Sequence, residues 1–232
     1  MLMFFLGSRL HKRPRSHKVN RPAALCSFVA VIRRGAEAEI RSGVWMGRAV
    51  VVKSRVPKNY RHPDLDRTLR VTRTRNEARL IHEAREHGVP TPIIYDIDMV
   101  NAEITMEEVK GPRVKDELDR ADPEVVDALC KEIGRLIALL HGAGIVHGDL
   151  TTSNMIMSEG RMWFIDFSLG SRCASTEEMG VDIHLLKEAF QSAHSTLIGR
   201  FPLILESYRQ HFDRAEEAIK KMKDIEGRGR YT

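Results

Sequence analysis

Apolar positions follow two different rhythms along this chain. Phe28–Ile32 and the run AVVVK (49–53) are short and β-branched, the pattern of strands in a hairpin-rich sheet. The polar, proline-containing YRHPDLD (60–66) reads as a connection. In TRTRNEARLIHEAREHG (72–88) the rhythm turns helical, with Ala78, Leu80 and Ile81 facing inward and Gly88 as the stop. PIIYDIDM (92–99) and EITMEEV (103–109) return to strand, with VNA as their turn.

ADPEVVDALCKEIGRLIALLHGAG is the clearest helix. Asp122 stands where a cap belongs and Pro123 at the first helical position, and Val126, Leu129, Ile133, Leu136, Ile137 and Leu140 recur at helical spacing until Gly142 and Gly144. After IVHGDLTTSN (145–154), NMIMSEGRMWFIDF predicts two short strands joined by SEGR. Helices are expected over about 181–194, 202–212 and 213–226. Strands early and helices late predict an α+β protein of two unequal lobes. The proposed division is a basic extension at 1–25 without fixed structure and a domain at 26–226. Within the domain the N-lobe spans about 26–106 and the C-lobe about 110–226, and a basic tail follows at 227–232.

Composition narrows the classes. The chain of 232 residues can bury a substantial core, and no apolar run is long enough to span a bilayer. The opening MLMFFL precedes its positive charges, the reverse of a secretory signal. Cys26, Cys130 and Cys173 are far apart with no CxxC pair, which fits reduced thiols inside a cell and argues against a zinc site. The formal net charge is +5. Much of it sits in RLHKRPRSHKVNR (9–21) and KKMKDIEGRGRYT (220–232), so basic ends suit a polyanion such as RNA, or equally a solvated tail or an import patch.

The loop leaving the long helix carries the chemistry. His147, Asp149 and Asn154 lie on it, and Asp166 ends the second strand of the hairpin that follows. That hairpin brings Asn154 and Asp166 together, an amide and an acid suited to a hard divalent cation that also holds a triphosphate. Asp149 is left to orient or deprotonate an attacking hydroxyl or water. The spacing H-x-D-x-x-x-x-N, then D-F-x, is the catalytic-loop pattern of protein kinases. Upstream, Lys53 ends a strand where a kinase places its phosphate-holding lysine, and Glu77 sits on the next helix as its partner. Glu83 and Glu86 read as a solvated face. ITMEEVKG is the expected hinge, where the Glu107 carbonyl and Val109 amide would read adenine behind Met106.

At these residues the sequence resembles the small atypical Ser/Thr kinases of the KEOPS/EKC complex, the PRPK family related to RIO kinases. The resemblance rests on GAEAEI (35–40), VVK (51–53), YRHPDLD, EAR (77–79), MEEVKG (106–111), HGDLTTSNMI (147–156), VDIHLLKEAF (181–190) and RGR (228–230). RIO kinases and the choline and aminoglycoside phosphotransferases share an HGD-like loop but not the YRHP segment or the Arg-rich tail.

The resemblance implies an ATP- and Mg²⁺-dependent kinase and ATPase supporting threonylcarbamoyladenosine modification of tRNA, in the cytoplasm and nucleus. It implies a Kae-type threonylcarbamoyltransferase subunit and other KEOPS/EKC subunits as partners, and tRNA contacted through the basic C-terminal tail. Weak phosphorylation of protein Ser/Thr substrates also follows. A stand-alone protein kinase would share every catalytic residue, and a non-enzymatic tRNA-binding scaffold is the third reading, against which the intact Lys53, Asp149, Asn154 and Asp166 weigh.

Several positions mark an atypical member. Gly148 stands where many protein kinases have an arginine that grips a phosphorylated activation loop. Only a short loop fits between Asp166 and Asp182, with no APE, and GAEAEIRSG replaces the glycine-rich phosphate loop. Asp182 is expected to hold the catalytic loop by backbone hydrogen bonds. Ser168 replaces the glycine of DFG, which reaches backbone angles that a side chain resists, so the mobility of that segment is in question while the Asp166 carboxylate is intact.

Overall fold

The computed structural model describes residues 26–35, 37–172 and 175–229. The expectations for 1–25, Cys173 and residues 230–232 of the tail lie outside them. The early strands form one antiparallel sheet of β1 (Cys26–Arg34), β2 (Ala38–Trp45), β3 (Arg48–Arg55), β4 (Ile94–Asp98) and β5 (Glu103–Glu107), in the order β1-β2-β3-β5-β4.

β2 corrects the sequence reading, which gave GAEAEIRSG to the phosphate loop alone. The strand is poor in β-branched residues, so pattern did not show it. Its backbone pairs with β1 and β3, and ion pairs add to this: Glu39 with Arg34 on β1 at 3.0 Å, and Arg41, reaching across β3, with Glu103 on β5 at 2.5 Å.

The helix α1 (Pro63–Glu86) also begins earlier than expected and absorbs half of YRHPDLD. Pro63 needs no amide partner at the first helical position, and Asp64 and Asp66 face the positive end of the helix dipole. Asp66 is buried and accepts from Arg70 Nε at 2.7 Å and from the Lys58 amide at 3.3 Å. Ala78, Leu80 and Ile81 are buried as expected. Glu83 is half-buried and lies 3.3 Å from Arg172, so of the two expected solvated acids only Glu86 is exposed.

The second lobe contains α2 (Val114–Leu118), α3 (Pro123–Gly142), α4 (Thr176–Ala193), α5 (Phe201–His211) and α6 (Ala215–Gly229). Two small antiparallel pairs join them, β6 (Ile145–Val146) with β9 (Ser171–Arg172) and β7 (Met155–Ser158) with β8 (Arg161–Phe164). All six periodic apolar residues of α3 are buried. Asp122 takes the N-cap position, but its carboxylate makes no capping bond. Its backbone carbonyl accepts from the Val125 and Val126 amides, both at 3.0 Å. Halfway along α3, a Cβ on Gly134 would meet the Ile204 carbonyl oxygen at 2.2 Å, so this glycine sets how closely α5 approaches.

One apolar cluster runs through both lobes, from Leu80, Ile81 and Ile104 to Ile133, Leu136, Phe164, Phe190 and Tyr208. It forms the solid floor beneath the cleft between sheet and helices. No described helix is long and apolar enough to cross a membrane. α6 continues through Gly229 instead of ending at 226, so the first part of the expected tail is helical. Lys221 pairs with Glu177 at 2.8 Å, and Glu226 with Lys187 at 2.7 Å.

Candidate active site

Alternation along β3 puts Lys53 and Arg55 on one face of the strand, and that face meets α1. Lys53 Nζ lies 2.7 Å from Glu77 Oε1, and Arg55 Nη2 lies 2.7 Å from Glu77 Oε2. Glu77 is 1 % exposed, so each carboxylate oxygen needs a donor, and each has one. The Lys53–Glu77 pair is as the sequence predicts. Arg55 was missed, although its place two residues beyond Lys53 was the available signal.

Lys53 also reaches Asp166 Oδ1 at 2.7 Å and the Ser168 hydroxyl at 2.6 Å. Ser168 in turn donates to Asp166 Oδ1 at 2.5 Å. The serine thus links the lysine to the carboxylate. Its backbone takes no glycine-like angle; the left-handed conformation falls on Asp166, at φ +64°. The serine is therefore accommodated without a left-handed backbone angle at 168 and adds a hydrogen bond.

Burial pushes the Asp166 carboxyl up, but the charge of Lys53 and the bonds from Lys53 and Ser168 outweigh it and bring the pKa down to about 2. A carboxylate lowered on folding adds stability that is complete above its unfolded value of 3.8 and is lost as pH falls towards about 2. Acid unfolding should therefore steepen in the wild type between these values and flatten there in Asp166→Asn. Parallel circular-dichroism titrations of the two proteins check this, and identical slopes would exclude the pairing.

The catalytic-loop residues are fixed from behind. The buried Asp182 accepts from the His147 amide at 2.6 Å and the Gly148 amide at 2.9 Å, as predicted. Burial raises its pKa, but the hydrogen bond and charge of His141, with His147, hold it below the usual carboxylate range. His147 donates from Nε2 to the Ile165 carbonyl at 3.0 Å and accepts the Asp149 amide at Nδ1 at 3.3 Å. Gly148 has φ +79°, and a Cβ there would lie 2.2 Å from the Leu169 carbonyl oxygen. No arginine can stand at this position, because the backbone of the following loop occupies the space.

Asn154 Nδ2 donates to the Asp149 carbonyl and to Asp149 Oδ2, both at 2.9 Å. The Ile165 amide donates to the Asn154 carbonyl at 3.0 Å, which ties this loop to the strand leading into Asp166. Asn154, Asp166, Lys53 and Glu77 all line one cleft of about 280 Å³. Val51 and Met106 from the sheet face Ile156 and Ile165 from the helical lobe across it, an apolar slot. Glu107 and Val109, on the segment expected to be the hinge, also line it. The Glu107 amide is taken by the Ile93 carbonyl and the Glu108 amide by that of Ala49, whereas the Val109 amide has no backbone partner among the described residues. Asp149 is exposed at the mouth.

This arrangement can hold a flat apolar ring, a polyphosphate at Lys53 and a cation at Asp166 and Asn154. A model of the RIO domain matches residues 47–196, so the chain carries the domain of a RIO-type atypical kinase. The KEOPS complex subunit Bud32 of Pyrococcus abyssi is 42% identical over 210 residues, covering 87% of this chain and 96% of that one. A probable serine/threonine-protein kinase BUD32 homolog of Archaeoglobus fulgidus is 40% identical over 198 residues, covering 85% and 94%. The chain belongs to the Bud32 family.

The probable bifunctional tRNA threonylcarbamoyladenosine biosynthesis protein of Methanothermobacter thermautotrophicus is 43% identical over 203 residues. That match covers 87% of this chain but 36% of the longer one, so the chain spans only about a third of such relatives. Among solved structures, the Rio2 kinase–ADP/Mg²⁺–phosphoaspartate complex of Chaetomium thermophilum superposes with a TM-score of 0.61 at 16% identity. It covers 88% of this chain and 72% of that one, which supports the kinase-like fold.

Proposed function

We propose that this chain is an ATP- and Mg²⁺-dependent atypical Ser/Thr kinase and ATPase that works as a KEOPS/EKC subunit in threonylcarbamoyladenosine modification of tRNA. The observation that carries the reading is the convergence of Lys53, Glu77, Asp166 and Asn154 on one cleft with Asp149 at its mouth. Lys53, held by Glu77, would bind the α- and β-phosphates, and the Glu107 carbonyl and Val109 amide would bind adenine.

Asp166 and Asn154 offer hard oxygen donors, the kind Mg²⁺ takes when phosphate and water complete its shell. Among the described residues no three His, Cys, Asp or Glu side chains gather into a metal cage, which also suits a cation shared with a nucleotide. When bound there, Mg²⁺ supplies charge neutralisation at the phosphates. Asp149 would orient the attacking hydroxyl or water. Its open position serves a water and a protein hydroxyl alike, and so also supports the second reading, a protein kinase acting alone.

The relatives' names, a KEOPS complex subunit and a tRNA threonylcarbamoyladenosine biosynthesis protein, support other KEOPS subunits as partners, and a Kae-type subunit and tRNA are the partners that the sequence resemblance adds. Lys220, Lys223 and Arg228 are exposed on α6 and are the basic groups open to a phosphate backbone, while Lys221 is engaged by Glu177. ATP turnover by the purified protein should require Mg²⁺ and rise when tRNA and the partner subunits are added. Turnover absent from every mixture would overturn the enzymatic reading. Turnover indifferent to tRNA and partners, with transfer to a protein Ser/Thr, would favour the second.

A further inference from the structure

A second hydrogen-bonded set lies behind the catalytic loop, and none of the roles above uses it. His194 follows the last residue of α4, with its side chain fully enclosed. Its Nδ1 is 2.7 Å from Asp119 Oδ1, and its Nε2 is 3.0 Å from Thr152 Oγ1. A carboxylate only accepts, so Nδ1 carries a proton, and in the neutral ring Nε2 accepts from the threonine hydroxyl. The order is hydroxyl, imidazole, carboxylate.

Thr152 is 2 % exposed, so its hydroxyl reaches no substrate. It opens the single 3-10 turn Thr152–Asn154, which ends in the amide that grips Asp149. α2 and α4 both pack against this turn. Packing alone does not call for the polar chain, since valine matches the shape of Thr152 and an apolar ring would suit the place beside Phe190, 5.1 Å away. Asp119 is the C-cap of α2, where a carboxylate meets the negative end of its own helix. Its bond to His194 supplies what the helix does not.

We propose that His194, its ring oriented by Asp119, is a positioning residue that acts through Thr152 to fix the turn presenting Asn154 and Asp149 to the cleft. The inference rests on the functional reading of those two residues given above. Freed from His194, the Thr152 hydroxyl would turn to nearby backbone groups and compete with the bonds that make the turn. Asp119 is 49 % exposed, so the set runs from the surface to the catalytic loop.

The test compares variants of the full chain in steady-state ATP turnover and in amide hydrogen exchange over residues 152–154. Thr152→Val should lower kcat about tenfold, the worth of one such bond, with KM for ATP within about twofold. Thr152→Ser should restore the wild-type rate. His194→Gln keeps an acceptor near Nε2 and should keep most of the turnover, whereas His194→Asn keeps only the Asp119 side and should behave like Thr152→Val. Exchange at 152–154 should quicken in Thr152→Val and His194→Asn and not in the other two. A wild-type kcat in Thr152→Val, or equal losses in the two His194 variants, overturns the proposal. Should the wild type turn over no ATP, the functional reading falls and exchange decides alone: unchanged protection in Thr152→Val overturns the positioning role, and faster exchange upholds it.

Discussion

Replacing Asp149 with alanine is expected to remove nearly all ATP turnover while leaving nucleotide affinity almost unchanged. The carboxylate is exposed at the cleft mouth, and among the described hydrogen bonds its Oδ2 accepts only from Asn154. Its other oxygen is open to a hydroxyl or water. Groups that orient or accept a proton from a nucleophile contribute about 10²–10⁴-fold to the rate. In the proposed site nucleotide binding would draw on Lys53, Asp166 and the hinge, none of which is hydrogen-bonded to Asp149 among the described contacts. Asn154 also stays anchored in the variant, because its amide donates to the Asp149 backbone carbonyl as well. Turnover and equilibrium titration with ATP, measured on the same preparation, separate the two effects. Equal loss of both would show that Asp149 is part of the binding site.

Asp166→Ala should have the second large effect, this time on binding. Asp166 is the charged member of the proposed cation pair and is held ionised by Lys53 and Ser168. Removing even a partner that supports a metal ligand commonly costs 10–100-fold in metal affinity, so losing the carboxylate should cost at least about that. ATP affinity in Mg²⁺ should fall to its metal-free level. Asn154→Ala should weaken it less, since a neutral oxygen contributes less than a charged one. The fold should survive Asp166→Ala, because Lys53 keeps Glu77 and the Ser168 hydroxyl as partners. An ATP affinity that still depends on Mg²⁺ in the variant would remove Asp166 from the cation site.

The sequence made the catalytic constellation legible because its chemistry sits in short, rigid spacings. Five residues from Asp149 to Asn154 and one hairpin from Asn154 to Asp166 leave the backbone little freedom, so proximity could be inferred without a structure. Distant partners were legible only where a kinase pattern supplied them, as for Lys53 and Glu77. Arg55 completes the same ion cluster but lay outside that pattern, although strand alternation pointed to it. β2 escaped because it carries few β-branched residues, although its backbone pairs along its length with β1 and β3. α1 started early because Pro63 opens a helix, although YRHPDLD as a whole reads as a connection. Asp122 stands at the N-cap position, yet its carboxylate makes no capping bond. The contacts of His194 could not be read at all: Asp119, Thr152 and His194 come from three separate segments, and only the packing of α2 and α4 brings them together.

Helical order persisting to Gly229 changes what a polyanion would meet at this end of the chain. A loose tail would surrender backbone freedom on binding, at roughly 1–2 kcal/mol per residue fixed. In α6 that entropy is already spent in folding, so Lys220, Lys223 and Arg228 stand at set heights, about 1.5 Å of rise per residue. The array acts as a ruler with fixed marks. A nucleic acid bound here would have to match its pitch, and shortening the chain before Gly229 trims the last turn of a packed helix.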